Sequence, residues 1–166
     1  MRDTDISKIV DRVASEMKKK KALIGNDTIS LALAKLIAAR VEAKAEQLGV
    51  NAVVSVCSTG ARPVLTECMD DSYIASYDVA FNKAFTSVSL KMSTIKLKSL
   101  SQPHGPLYGI QHTNDGKIVI FGGGEPLMLG GRIIGGLGVS GGSEEQDTAL
   151  AAYGASCVEE EASKCL

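Results

Sequence analysis

Apolar side chains in the first segment, "DISKIVDRVASEM" (5–17), fall at Ile6, Ile9, Val10, Val13 and Met17. Steps of three and four residues draw one stripe along a helix. Asp3, Thr4 and Asp5 supply capping oxygens and negative charge at its start, and Lys18 to Lys21 place positive charge at its end, as the helix dipole favours. About four turns of helix are marginal alone, so the stripe needs a surface to lie against. The polar "KKKKALIGND" that follows reads as a linker. The predicted organisation is an amphipathic helix at 1–20, a linker at 21–27 and one domain at 28–166.

A stronger helix is predicted from about Thr28 to Leu48, capped by Asp27 or Thr28 and stopped at Gly49. "NAVVSVC" (51–57) and "RPVLTECM" (62–69) read as two strands of a hairpin. A third helix covers about 72–90, with Asp70 or Asp71 as its cap, Ile74, Val79, Ala80 and Phe85 as core positions, and Lys83 on its solvated side. A short helical piece at 93–100 leads into the loop "SQPHGPLYGIQHTNDG" (101–116). "KIVIF" (117–121) and "GRIIGGLGVS" (131–140) then read as strands on either side of a glycine-rich bend. Ser143 followed by Gln146 fits a capping box for a last helix. Hairpins grouped with helices predict an α+β fold, an antiparallel sheet with packed helices, rather than a doubly wound one.

Composition narrows the function classes. With no Trp, three Phe and four Tyr, the core must be aliphatic. A net charge of -1 gives no general field for a polyanion, which argues against nucleic acid as a partner. Cys57, Cys68, Cys157 and Cys165 form no C-x-x-C pair and have no histidine at metal spacing, so they read as free thiols without a metal site. "MRDTDISKIV" lacks the apolar run of a secretory leader, and no segment approaches the roughly 20 apolar residues of a membrane span. The expected location is cytoplasmic.

Ten glycines lie between Gly122 and Gly142. "GLGVSG" (136–141) is a formal G-x-G-x-x-G, but no second βαβ unit accompanies it, and no Gly-Lys-Ser/Thr of a phosphate loop is present. Glycine inside strands is costly unless something must approach the backbone closely. That neighbour is a helix, another subunit or a planar ligand.

This glycine-rich stretch, with "NAVVSVCSTGARPVL", "ECMDDSYIASYDVAFNKAFTSV" (67–88) and "PHGPLYGIQ" (103–111), resembles the GlcG/HbpS-like family of small haem-binding proteins. That family also supplies the C-terminal domain of PduO-type cobalamin adenosyltransferases. The resemblance covers about residues 28–156 and implies a profilin-like or PAS-like α+β fold, a homo-oligomer, and haem as cofactor. The adenosyltransferase activity resides in a separate helical domain that this chain does not accommodate. Haem needs an apolar slot and one or two axial donors. The resemblance offers His104 as the first candidate iron ligand, Tyr108 as a pocket-lining residue, and Gly122, Gly123, Gly124 and Glu125 as the ligand-binding bend. His112, Cys57, Cys68 and Met69 are further candidate donors, the cysteines and Met69 reading first as core or strand residues. Asp70, Asp71, Glu125 and Lys83 are the polar residues nearest these motifs, and no Ser-His-Asp or Cys-His pairing supports a catalytic centre.

"DISKIVDRVASEM" is similar to the encapsulation peptides that carry cargo into bacterial microcompartments, such as the propanediol-utilising ones to which PduO-type proteins belong. Ile6, Ile9, Val10 and Val13 would bury one helix face against a shell protein or another cargo tail. The rival arrangement docks this helix on its own domain or on a neighbouring subunit. The expectation is a haem-binding protein carried in a microcompartment lumen. The alternatives are an assembly or scaffold protein without haem, and an enzyme acting on a small hydroxy-acid or carbonyl compound.

Overall fold

The computed structural model describes residues 8, 9, 11–13, 15 and 27–164. Among the described residues, five α-helices and four strands follow residue 27: α1 (Leu31–Gln47), β1 (Val53–Ser58), β2 (Pro63–Cys68), α2 (Ser76–Leu90), α3 (Thr94–Leu100), β3 (Gly124–Leu129), β4 (Arg132–Ser140), α4 (Glu144–Ser156) and α5 (Val158–Lys164). The strands form one sheet in the order β2-β1-β4-β3, antiparallel throughout. The expected α+β architecture is present.

Both hairpins form locally, and the sheet is closed by pairing β1 with β4, from Val53 opposite Ser140 to Ser58 opposite Gly135. Strand alternation then sends Val54, Val56, Leu137 and Val139 to one face, where they pack with Leu33, Ile37 and Val41 of α1 and Leu150 of α4. At about 1.5–3 kcal/mol for each fully buried aliphatic side chain, this is the main stabilising core. On the opposite face α2 covers a smaller cluster of Cys57, Ala84 and Val88, edged by Ala61, Phe81 and Ile133.

Several boundaries differ from the sequence expectation, each for a local reason. Ser30, not Asp27 or Thr28, caps α1, its hydroxyl accepting the Leu33 amide at 3.2 Å. The Thr28 hydroxyl instead accepts the Thr59 amide at 2.9 Å, tying the chain entry to the first hairpin. Neither Asp70 nor Asp71 caps α2, which starts at Ser76 after Ala75 with no side-chain cap. Ile74, expected in the core, is 97% exposed because it precedes that start, while Ala80 is fully buried. "KIVIF" is not a strand. Val119 donates its amide to Thr86 Oγ1 of α2 at 3.0 Å, and pairing with β4 begins only at Gly124. The Ser143–Gln146 capping box of α4 is formed as expected.

Candidate functional site

The glycine-rich hairpin is the floor on which α2 rests. Gly124 pairs with Gly138 across β3 and β4, and Pro126 pairs with Gly136. A methyl group on Gly124 would lie 2.6 Å from both the Lys83 carbonyl oxygen and Thr94 Cγ2. On Gly138 it would lie 2.6 Å from the Ala84 amide nitrogen, and on Gly136 2.7 Å from Ser87 Oγ. All are well inside contact distance, so the neighbour that excludes larger side chains here is a helix of the same chain.

Close approach brings the aliphatic stem of Lys83 through the interface to the far end of the bend. Lys83 is fully buried, contrary to the solvated position expected for it. Its ammonium donates to Asp147 Oδ2 at 2.7 Å and to the Val139 carbonyl at 2.8 Å. It also lies 5.0 Å from the centre of the Phe121 ring. Asp147 is buried too, and its other oxygen accepts the Gly142 amide at 2.9 Å. Burial disfavours the charged amine and lowers the Lys83 pKa, with Asp147 opposing that shift. Gly123 closes the site at φ 107, a conformation that L side chains rarely adopt, and a Cβ there would lie 2.7 Å from Lys83 Nζ.

A second ion pair flanks the first. Glu144 accepts the Gly122 amide at 2.8 Å through one oxygen and pairs with Lys98 of α3 through the other. The Lys98 ammonium and then the Gly122 amide hold the Glu144 carboxyl below its ordinary pKa. Glu125 has no such partner among the described residues. It is half-buried in β3, and burial pushes its carboxyl up. Sequence reading missed Asp147 and Glu144. Both look like ordinary acids in the first turn of α4, and nothing in the linear pattern announces a lysine from α2 reaching them.

The expected site residues fall into two groups. Gly122, Gly123 and Gly124 are buried against Thr148 and Glu144, against Lys83 and Asp147, and against Lys83 and Thr94 respectively. His104 and Tyr108 lie together in the turn-rich loop after α3, both exposed, and His112 is exposed further along it. His104 adopts φ 68, and its imidazole has no hydrogen-bond partner among the described residues. The Tyr108 side chain is 67% exposed and also without such a partner. Cys57 is buried beside Gly136, its thiol pushed up to about 12 by burial, whereas Cys68 is exposed. Between α3 and α4 runs an open, mainly apolar groove of about 440 Å³, lined by Ile95, Lys98, Glu144, Thr148, Ala149 and Ala152 among others. Thr148 and Glu144 also contact Gly122, so one wall of this groove is shared with the glycine bend.

In the N-terminal segment, residues 8, 9, 11–13 and 15 are helical, with Ile9 57% and Val13 48% exposed. Ile6 and Val10 lie outside the described residues. No helix among the described residues is long and apolar enough to cross a membrane.

The chain is 46% identical, over 80% of its length, to a 15.0 kDa protein of the dhaT-dhaS intergenic region of Citrobacter freundii, covering 94% of that protein. It is 42% identical over 65% of its length to the corrinoid adenosyltransferase PduO of the same organism, but spans only 32% of PduO. Among solved structures, the Klebsiella pneumoniae protein ORFY superposes with a TM-score of 0.76 at 43% identity, over 78% of this chain and 90% of that one. A PduOC–haem complex superposes with a TM-score of 0.74 at 36% identity, over 78% and 94%. The sequence model described as haem degrading protein HbpS-like matches residues 29–156, and the glycine-floored sheet lies within that span; the chain belongs to the HbpS-like family.

Proposed function

We propose that this protein binds haem on the side of the fold formed by the glycine bend, α3 and the loop that follows it. The observation that carries the reading is the PduOC–haem complex, a structure alike in fold over 78% of this chain at 36% identity. The residues present fit the group. Iron takes an imidazole nitrogen or a phenolate oxygen whose lone pair is accessible, and His104 and Tyr108 are both exposed and uncommitted. The groove beside Gly122 offers apolar wall from Ile95, Ala149 and Ala152, and a carboxylate of the porphyrin would take Lys98 over from its pair with Glu144. Haem would supply redox and ligand-binding chemistry. His104 is the first ligand candidate, Tyr108 would line or cap the pocket, and Gly122 to Gly124 with Glu125 set the bend against which it lies. The groove is open, so a second copy of the chain in a homo-oligomer would complete the enclosure.

Adding haemin to the purified protein tests this. A saturable Soret shift with one haem per chain is expected, displaced or lost in His104→Ala. A featureless titration would overturn it in favour of an assembly protein without haem.

The same reading makes the protein microcompartment cargo. Exposure of Ile9 and Val13 on a helical segment, together with the 42% identity to PduO, supports it. Deleting residues 1–20 should leave folding and oligomer size unchanged while abolishing co-purification with shells. Unfolding of the remaining domain would instead make this helix part of the core.

A further inference from the structure

The two faces of the sheet are covered unequally. Three helices, α1, α4 and α5, contribute to the large core, whereas α2 is the main cover of the other face. Where α2 ends at Leu90, the smaller apolar cluster runs out from under it. A groove of about 440 Å³ opens there, lined by Val88, Ile133, Thr59, Lys91 and Arg132. Val88 and Ile133 make its floor apolar, and both belong to that cluster.

Its rim is cationic. Lys91 occupies the left-handed C-cap position of α2, at φ 54 and ψ 38, with its amide donating to the Ser87 carbonyl. Glycine is favoured at such a position because a Cβ crowds the neighbouring carbonyl. The Lys91 ammonium has no partner among the described residues. Arg132 Nη1 lies 3.0 Å from Asp27 Oδ1, and both of these side chains are largely exposed. An exposed pair of this kind is weak and readily exchanged. Two cations and one carboxylate leave one positive charge in excess above an apolar floor.

We propose that this groove binds a small aliphatic carboxylate. The alkyl chain lies on Val88 and Ile133, and the carboxylate takes the place of Asp27 on the Arg132 guanidinium, whose planar fork suits two carboxylate oxygens, with the Lys91 ammonium as second cation. The site is separate from the proposed haem surface and does not depend on it.

Hexanoate titrated into the full chain, followed by methyl NMR, tests the proposal. Saturable shifts at Val88 and Ile133 are expected with roughly millimolar affinity, in keeping with the per-atom ceiling for so small a ligand. Lys91→Gly separates binding from folding, because glycine suits the left-handed cap. It should raise the melting temperature while weakening hexanoate by roughly tenfold, the loss of one charge-assisted contact. Arg132→Gln should weaken binding similarly, and Asp27→Asn should tighten it. The proposal is overturned if the Val88 and Ile133 shifts do not saturate, if hexanol matches hexanoate, or if Lys91→Gly binds as tightly as the parent.

Discussion

Lys83 Nζ and Asp147 Oδ2 lie 2.7 Å apart in the interior, joining α2 to the first turn of α4 beneath Gly123. Such a pair is weak evidence of net stability, since desolvation offsets much of the attraction. Its geometry nonetheless fixes how α2, β4 and the bend meet, because the same ammonium also holds the Val139 carbonyl.

Removing one partner should therefore cost more than removing both. Lys83→Met leaves Asp147 buried and uncompensated, and should destabilise the fold by about 3–5 kcal/mol. The Lys83→Met, Asp147→Asn double variant should recover a substantial part of that loss. Urea denaturation of the two single variants and the double measures the coupling. Additive losses would show that the pair does not act as a unit.

The two flanking glutamates should respond to pH with opposite sign. Burial raises the Glu125 pKa above its ordinary value of 4.5, so its charge costs stability above the folded pKa, and the cost disappears as pH falls below the unfolded value. Glu125→Gln should accordingly stabilise the protein at pH 7 and make no difference in acid. Glu144 is held below 4.5 by Lys98 and the Gly122 amide, so its contribution is present above the unfolded value and lost as pH falls through the folded one. Glu144→Gln should destabilise at pH 7, with the deficit vanishing at the acid end. Thermal melts across pH 3–7 check both signs.

Thiol chemistry should discriminate sharply between buried and exposed positions. A thiol pushed up to about 12, as at Cys57, is protonated and unreactive at neutral pH. In a Cys165→Ser background, iodoacetamide followed by mass spectrometry should modify exposed Cys68 first and leave Cys57 and Cys157 untouched until the protein unfolds.

Substitution on the glycine floor should be felt in proportion to backbone contact. Gly138→Ala places a methyl against the Ala80 carbonyl and the Ala84 amide, neither of which can yield without moving α2. A loss of about 1–3 kcal/mol or more is expected. Gly60→Ala, whose methyl would find only Ser58 Oγ at 3.9 Å, should be close to neutral. Equal effects at the two positions in chemical denaturation would refute the close-packing account.

The elements most legible in the sequence were those set by local rules. Short runs bounded by turn residues marked β1, β2 and β4, and Ser143 with Gln146 announced α4 through a capping box that forms as written. The density of glycine in β4 correctly implied a close neighbour and left its identity open among helix, subunit and ligand. What local rules could not supply is reach across the fold. Lys83 and Asp147 are brought together only by the packing of α2 on the sheet, so the lysine read as solvated and the aspartate was not singled out. "KIVIF" misled because an apolar run of that length suits a strand as well as a buried connecting segment. His104 and Tyr108 were legible as loop residues through the turn signals of 101–116, and as candidate ligand residues only beside the family resemblance.

The central register carries a consequence for biogenesis. Val53 pairs with Cys68 inside its own hairpin but finds its second flank only at Ser140, so β1 lacks one neighbour until the second hairpin has been made. On the ribosome, the emerging amino-terminal hairpin must wait with an unsatisfied strand flank while the intervening helices are translated. Assembly of such distant pairings is slow and exposes chains to aggregation. Shortened nascent chains that stop before residue 132 should consequently depend on chaperones to stay in solution.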